Sequence, residues 1–373
     1  MRIMLLITGL RLGGAEQQVA ALARQYVGMG HDVAVVSLTP DCEVELPRGI
    51  AQMRLDMRKT PWSMADALLR VRRMAMAWQP DVMHAHMVHA NLFTRILARI
   101  CPGSGVVCTA HSFHEGGGLR MLGYRLTDRW ANLTTHVSSE GRQRMIEVGA
   151  APAQRIVVMP NGIDTRRFCP DAQARAATRA ELGLDASQRL VLNVGRLVPE
   201  KAQSVLLDAF HGVAADSDAM LMIAGEGHLR GALEKQIDRL GLAGRVVLLG
   251  KRHDIPALLN AADLFVLSSV IEGMPLAVGE ALACGCPVVS TDASGVADLL
   301  AEFGKPVPRG DCQALAGAMR DALALGRGST ADEQARYEHI ATRFGIEAVA
   351  RQWLFHYLRH AGPATPAARM HAV

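Results

Sequence analysis

The sequence predicts an α/β protein of two successive units, each a parallel sheet wrapped by helices. Three observations carry this. Short apolar runs alternate with amphipathic stretches along most of the chain, the strand–helix–strand rhythm of a sheet covered on both faces. That rhythm pauses at Pro160-Asn161-Gly162 and then restarts. The length, 373 residues, suits two ordinary domains.

The first apolar run, over 3–8, reads as a buried strand entering a glycine loop. The opening MRIMLLITGL lacks the longer hydrophobic region and small-residue cleavage site of a secretory signal. Next comes AEQQVAALARQYVGMG, in which Val19, Leu22, Ala23, Tyr26 and Val27 recur at helical spacing and Gly30 acts as a stop. Further strands are expected over 33–38, 82–84, 105–109, 133–137 and 156–159. After the pause, strands are expected over 190–194, 219–224, 245–249, 264–268 and 288–290, with helices over 204–214 and 229–240 between them. The first unit is therefore read as 1–168 and the second as 169–344. Residues 171–181, DAQARAATRAE, read as a solvated helix after the linker. The amphipathic FGIEAVARQWLFHYLRH makes a helix over about 345–360 that can pack on either unit, including back on the first. The tail, 361–373, has no periodic pattern and is expected to be disordered.

Composition excludes several functions. Half of the residues are apolar and 20% are charged, yet no apolar run reaches the ~18 residues of a membrane span. Aromatics make up 4%, too few for a base-stacking surface, so nucleic acid is not an expected partner. The net charge of +4 is concentrated in the first half, where an anionic partner would meet the chain. The seven cysteines form no zinc pattern; Cys284-Gly-Cys286 is spaced too tightly. They read as small buried hydrophobes in a reducing cytosol.

Four stretches carry chemistry. TGLRLGGAEQ follows the first strand and opens a helix, so Gly13 and Gly14 allow a tight turn where helix N–H groups can meet an anion. Arg11 breaks the dinucleotide pattern G-x-G-x-x-G. A tight turn without a ligand is the other reading. NVGRLVPEK places Arg196 and Lys201 at the carboxyl end of a strand, where open α/β sheets bind ligands. Two cations at a helix start oppose its dipole unless an anion lies between them; otherwise they are solvated loop charges. In LSSVIEGMPLAVGEALACG, Pro275 suits the first helical position. Glu280 then lies about a turn and a half into the helix, and Glu272 in the loop before it. The carboxylates therefore have separate tasks: Glu280 can grip vicinal hydroxyls such as those of a ribose, and Glu272 with the N–H groups of Gly273, Met274 and Leu276 can meet a sugar. The alternative is two acids stabilising a helix dipole. Finally, His84, His86, His89, His111 and His114 fall near two strand ends. There is no H-E-x-x-H, and Glu115 is the only acid near them in sequence, so a metal is not expected. His111 is the best placed to meet a substrate hydroxyl, and the others are expected to be structural.

EGMPLAVGE, GRLVPEK, IAGEGHLR, the PNGID…F run over 160–168 and the glycine pair of GLRLGGAEQ together resemble, in order, the family-4 glycosyltransferases. The resemblance extends over about 1–360. It implies the GT-B fold, two Rossmann-like β/α/β domains facing each other across a deep cleft. It also implies retaining transfer from a nucleotide diphosphate sugar without a catalytic metal. In that frame Glu280 would hold the ribose, Arg196 and Lys201 the diphosphate, and Glu272, Gly273, Met274 and Leu276 the donor sugar. Backbone near Arg252 would meet the base, Gly13 and Gly14 the phosphates, and His111 the transferred sugar. His111, Glu272, Arg196 and Lys201 are the expected catalytic set. The hinge would lie over 161–164. Two positions depart from the pattern: Ala202 stands where glycine is usual, and Asp298 where glutamate is common.

The expected reaction moves a hexose-type sugar, from a UDP-sugar by preference, to a lipid-linked or polysaccharide acceptor of a bacterial cell surface. Two basic-apolar stretches suggest peripheral binding to an anionic inner-membrane surface by a cytoplasmic protein. One is 64–78 with Arg70, Arg72 and Arg73; the other is the stripe of Leu119, Leu122, Leu126 and Trp130 flanked by Arg120, Arg125 and Arg129. The plainer alternative is that these stripes are core. A sugar-nucleotide epimerase shares the architecture and is the rival function. A nicotinamide dehydrogenase lacks its fingerprint here, and an inert binding subunit would have lost the Arg/Lys/Glu set.

Overall fold

The computed structural model describes residues 1–361 except Leu12, His114, Ala186 and Lys305. The chain divides into two compact units, 1–162 joined by the segment from Ile346 onward, and Ile163–Gly345. Apart from Ala361, the expected tail lies outside the described residues, as does His114. No helix among the described residues is long and apolar enough to cross a membrane.

The first unit holds seven strands: β1 (Arg2–Ile7), β2 (Asp32–Ser37), β3 (Ala51–Arg54), β4 (Val82–His86), β5 (Gly105–Ala110), β6 (Leu133–His136) and β7 (Ile156–Val158). All are parallel, in the order β3-β2-β1-β4-β5-β6-β7. Side-chain alternation divides the core. Ile3, Leu5 and Ile7 face the helix Gly14–Gly28 and the C-terminal helix Ile346–His360. Met4, Leu6, Met83 and Ala85 face the helices Pro61–Trp78 and Val88–Ile100. Strand β3 was not expected. Its residues AQMR alternate between half-buried and exposed at the sheet edge, so no apolar run announces it.

The C-terminal helix packs on the first unit through buried Trp353 and Tyr357. The Tyr26 hydroxyl donates to the Tyr357 hydroxyl (3.1 Å), which in turn lies 2.5 Å from His84 Nδ1. His84 Nε2 meets Thr109 Oγ1 at 2.7 Å, and Thr109 meets Thr135 at 2.8 Å. One hydrogen-bonded chain thus runs from two helices into three neighbouring strands, satisfying polar groups that burial would otherwise leave costly.

The break between units falls after Gly162, not after 168 as expected. The Ile163 N–H donates to the Phe344 carbonyl at 2.7 Å, and the Ile163 and Phe168 side chains are buried, so 163–168 belongs to the second unit.

The second unit holds β8 (Leu190–Val194), β9 (Met220–Ala224), β10 (Val246–Gly250), β11 (Leu264–Leu267) and β12 (Val288–Ser290). They are parallel in the order β10-β9-β8-β11-β12. The helix Ala172–Glu181 starts where Asp171 accepts the Ala174 N–H, but it is not simply solvated. Arg175 and Arg179 reach the buried Asp263 at 2.6 and 3.0 Å and pin the helix to the start of β11.

Each sheet has one switch point, where the winding reverses: beside β1 and β4 in the first, beside β8 and β11 in the second. In open parallel sheets the loops at the carboxyl ends of two such strands diverge and leave a crevice for a ligand.

Candidate active site

In the second unit, the loops leaving β8, β9 and β11 are stitched together at the carboxyl edge of the sheet. The Gly195 N–H donates to Ala224 O and the Leu197 N–H to Glu226 O, both at 2.9 Å. Gly225 and Gly227 allow this approach. A Cβ on Gly225 would sit 1.9 Å from Gly195 O, and one on Gly227 2.2 Å from Leu197 O. The Val270 N–H donates to Glu200 O at 2.9 Å, and Ser268 Oγ to Lys201 O at 2.9 Å.

This framework carries Arg196, Lys201 and Glu272 to the second switch point. Gln203 holds the Arg196 carbonyl at 3.0 Å, while the exposed guanidinium has no hydrogen-bond or ion-pair partner among the described residues. Lys201 Nζ and Glu272 Oε1 form an ion pair at 2.5 Å, largely shielded from solvent. The two residues expected to meet different parts of a ligand therefore neutralise each other.

The next helix is Leu276–Ala283. Pro275 is its N-cap, with ψ at 99°, rather than the first helical residue that the sequence suggested. No side chain among the described residues caps this start; the Val278 N–H turns back to the Pro275 carbonyl at 3.1 Å, which leaves those of Leu276 and Ala277 for a partner. Gly273 and Met274 are buried just before it, and Leu276 is half-buried. Gly295, at φ +78°, packs beneath them; a Cβ there would lie 2.7 Å from Gly273 O. Glu280 is the fifth helical residue. Among the described residues its carboxylate has no hydrogen-bond partner, and burial pushes its pKa up to about 7 against the opposing pull of Arg167. A carboxylate left partnerless in a confined setting is suited to a hydroxyl-bearing ligand. Arg252 follows β10 and pairs with Asp254 at 2.5 Å, in an exposed loop at the same sheet edge.

In the first unit, Gly13 precedes a helix that begins at Gly14 without a side-chain cap. The tight-turn argument for these glycines does not hold: Gly13 is extended (φ −162°) and Gly14 is helical. What absence of a side chain does provide at Gly13 is room for the Glu16 carboxylate, which a Cβ would approach to 2.5 Å.

His84, His86, Thr109 and His111 share one sheet face, because β4 and β5 pair in register and side chains alternate. His111 Nε2 lies 2.9 Å from His86 Nδ1. Burial lowers the His111 pKa to about 3, helped by His136, and burial beside His84 and His111 holds His86 well below its ordinary value. Burial thus favours the neutral form of both rings. Glu115 fixes the His111 loop: Oε1 accepts the N–H groups of His111 and Ser112, each at 2.9 Å, and Oε2 accepts from the Tyr124 hydroxyl at 3.2 Å. Among the described residues, no three of His, Cys, Asp and Glu come together to hold a metal ion. Nearby, Phe113, Ser139, Glu140, Gln143, Arg144 and Glu147 line an open recess of about 400 Å³.

Sequence reasoning missed the His86–His111 contact, the clamp by Glu115, and the glycines 225, 227 and 295 as spacers. The available signal for the first was only that His86 and His111 both fall at strand ends; their contact needs the register of β4 against β5.

Two family models match the chain. Glycosyltransferase Family 4 covers residues 12–167 and Glycosyl transferases group 1 covers 174–341. Among curated relatives, the UDP-Gal:alpha-D-GlcNAc-diphosphoundecaprenol alpha-1,3-galactosyltransferase of Escherichia coli is 31% identical over 229 residues, 58% of this chain and 58% of that protein. The GDP-mannose-dependent alpha-(1-6)-phosphatidylinositol dimannoside mannosyltransferase of Mycobacterium tuberculosis is 28% identical over 310 residues, 78% of this chain and 79% of that protein. Among solved structures, Anabaena HepE in complex with UDP superposes with a TM-score of 0.83 at 23% identity, over 96% of this chain and all of that one.

Proposed function

The chain belongs to glycosyltransferase family 4 and has the GT-B fold, and from that premise we propose that it transfers a hexose-type sugar, with retention, from a nucleoside diphosphate sugar to a lipid-linked or polysaccharide acceptor. The observation that carries this reading is that Arg196, whose guanidinium is unpaired among the described residues, and the Lys201–Glu272 pair stand on the loops that leave the two strands of the second switch point. Cleaving the donor builds negative charge on the terminal phosphate of the leaving group. Arg196, Lys201 and the open helix start after Pro275 are set against that charge before it forms, which is the most effective way to lower such a barrier. Glu280 takes the ribose hydroxyls, the loop at Arg252 faces the base, and Glu272 with the backbone of Gly273, Met274 and Leu276 takes the sugar. In the first unit, the groups on offer are the helix start at Gly13 and Gly14 and the imidazole of His111.

In the retaining step the acceptor oxygen bonds to the anomeric carbon from the side the phosphate leaves. The bond from that carbon to the phosphate oxygen breaks, and the acceptor proton passes to that oxygen. A UDP-sugar is the favoured donor, supported by the UDP in HepE and the UDP-Gal of the E. coli relative. The relatives named above are transferases, which favours transfer over epimerisation.

An exposed apolar face supports a lipid-linked acceptor at a membrane surface. On the helix Gly118–Thr127, Leu119 is 87% exposed, Leu122 46% and Leu126 63%, so this stripe is not core. Arg120, Arg125 and Arg129 flank it. Trp62, Met64, Leu69 and Met76 are exposed on the helix Pro61–Trp78. Such faces bind anionic lipid.

Calorimetry with UDP, GDP and ADP, followed by turnover of the matching sugar nucleotide with lipid-linked acceptors, tests the reading. Binding of one diphosphate and an NMR spectrum showing the donor's anomeric configuration in the product support it. Inversion, or no binding of any of the three, rejects it. Failure to co-sediment with anionic vesicles at low salt rejects the membrane part alone.

A further inference from the structure

The helix Gln203–Ala214 buries Gln203, Leu206, Leu207 and Phe210, spaced as one helical face. The last three pack into the core of the second unit. Gln203 is also only 1% exposed, and a buried amide needs partners at both of its ends. It has a partner at one. Nε2 donates to the Arg196 carbonyl at 3.0 Å, while Oε1 is buried with no hydrogen-bond partner among the described residues. Turning the amide over would set its oxygen against the Arg196 carbonyl oxygen. A buried acceptor without a partner costs stability. An apolar side chain of the same length would therefore suit this core position better.

What the amide does instead is hold one peptide group. The carbonyl of the Arg196–Leu197 peptide accepts from Gln203, and its N–H donates to Glu226 O at 2.9 Å. On the other side of Arg196, the Gly195 N–H donates to Ala224 O at 2.9 Å, and the Gly195 carbonyl lies so close to Gly225 that a Cβ there would come within 1.9 Å. Holding the peptides on both sides fixes φ and ψ of Arg196, and with them the direction in which its side chain leaves the backbone. That direction matters because the guanidinium is exposed and bonds none of the described residues, so the backbone alone aims it. No other side chain among the described residues bonds this peptide.

We propose that Gln203 is a positioning residue for the transfer reaction: by bonding the Arg196 carbonyl it aims the guanidinium at the donor diphosphate, and its amide is kept in a core position although the fold would be more stable without it. This rests on the reading of Arg196 as a group that meets the diphosphate. Gln203, being buried, acts only through Arg196. Removing its amide leaves the Arg196 carbonyl with the Val198 N–H at 3.0 Å, so no new orphan is created.

The test is Gln203→Met, which keeps the length of the side chain and removes both the donor and the orphan acceptor, alone and combined with Arg196→Ala. The expected variant melts at or above the wild type, while kcat falls roughly 10-fold as the guanidinium loses its aim. In the Arg196→Ala background the same substitution should change kcat by less than about 2-fold, because residues acting as one unit are not additive. Gln203→Glu, of the same shape but with oxygen in place of the donor, should lower kcat at least as far as Gln203→Met. A kcat within about 2-fold of the wild type in Gln203→Met overturns the proposal, as does the full loss reappearing on top of Arg196→Ala, for Gln203 would then act through another group. Melting clearly below the wild type overturns the stability part alone. Normal turnover of Arg196→Ala itself marks the failure of the phosphate reading, and the proposal falls with it.

Discussion

The two units wind their sheets alike and load their switch points differently. In the first, the strands beside the reversal end in His86 and lead to a glycine helix start, with neutral His111 one strand further on. In the second, they lead to Arg196, Lys201, Glu272 and Glu280. The winding about the switch point is the same, though one sheet has seven strands and the other five; the electrostatics are not. Fold alone would not tell these units apart, so function has to be argued from side chains. The first offers hydrogen bonds that do not depend on charge. The second offers two cations and two carboxylates, the inventory for a molecule with phosphates at one end and hydroxyls at the other.

The sharpest way to break that comparison is to remove charge from the second unit. Arg196→Ala or Lys201→Ala should each cost about 3–4 kcal/mol of transition-state stabilisation, a drop of roughly two to three orders of magnitude in kcat. Circular dichroism and thermal melting should stay near the wild type for Arg196→Ala, whose guanidinium bonds none of the described residues. Lys201→Ala also strands the Glu272 carboxylate, so its melting temperature should fall as well. Near-normal turnover in both variants would remove the phosphate assignment.

Glu280 makes the next largest effect, and it has two signs. Its pKa is raised by burial to about 7, above the unfolded value. The protonated form is therefore the comfortable one in the fold, and the chain loses stability as pH rises from about 4.5 to about 7. Glu280→Gln does not titrate. It should match the wild type near pH 4.5 and exceed it at pH 8 by about 2 kcal/mol, a figure discounted because the carboxylate is partly open to solvent. The same variant should lose nucleotide affinity at pH 8, where the ionised carboxylate accepts from ribose hydroxyls. In the wild type, affinity should weaken roughly 10-fold from pH 8 to pH 6 as that acceptor is protonated. Thermal melts and calorimetry at the two pH values check all three. By contrast, His111, with its pKa lowered to about 3, should add no inflection to the rate between pH 5 and 9.

Much of this contrast was legible in the sequence. The strands of both cores read directly, because parallel strands buried on both faces leave continuous apolar runs. Arg196, Lys201 and Glu272 could be placed because a loop after such a run must lie at the sheet's carboxyl edge. What could not be read depended on partners distant in sequence. β3 is an edge strand whose signal comes from its neighbour, not its composition. The break after Gly162 is set by Ile163 bonding to Phe344, some 180 positions away. The Lys201–Glu272 pair joins loops from β8 and β11, and the His86–His111 bond needs the register of β4 against β5. The stripe at Leu119, Leu122 and Leu126 has the same periodicity whether it faces core or solvent, and only packing decides which.

Ala202 provides the finest test of how the second unit holds its cations. It follows Lys201 and caps the helix Gln203–Ala214 with φ 46° and ψ 41°, the left-handed region. Its N–H donates to Pro199 O at 3.1 Å and its carbonyl accepts from Val205 at 3.0 Å, so the conformation is held from both sides. An alanine there costs about 1–2 kcal/mol relative to its preferred geometry. Glycine would avoid that cost but lose about 0.5–1 kcal/mol to the greater freedom of the unfolded chain. Ala202→Gly should therefore stabilise the protein by about 0.5 kcal/mol, a rise of about 1–2 °C in melting temperature, with kcat within about 2-fold of the wild type. Ala202→Val should destabilise, since a branched side chain fits this region worse than alanine. If Ala202→Gly instead melts lower, the bonds to Pro199 and Val205 hold the loop without strain, and the cost argued for alanine is absent. If it melts higher but kcat falls well beyond 2-fold, the methyl group is what keeps Lys201 in place, and stability has been exchanged for a fixed ammonium beside Glu272.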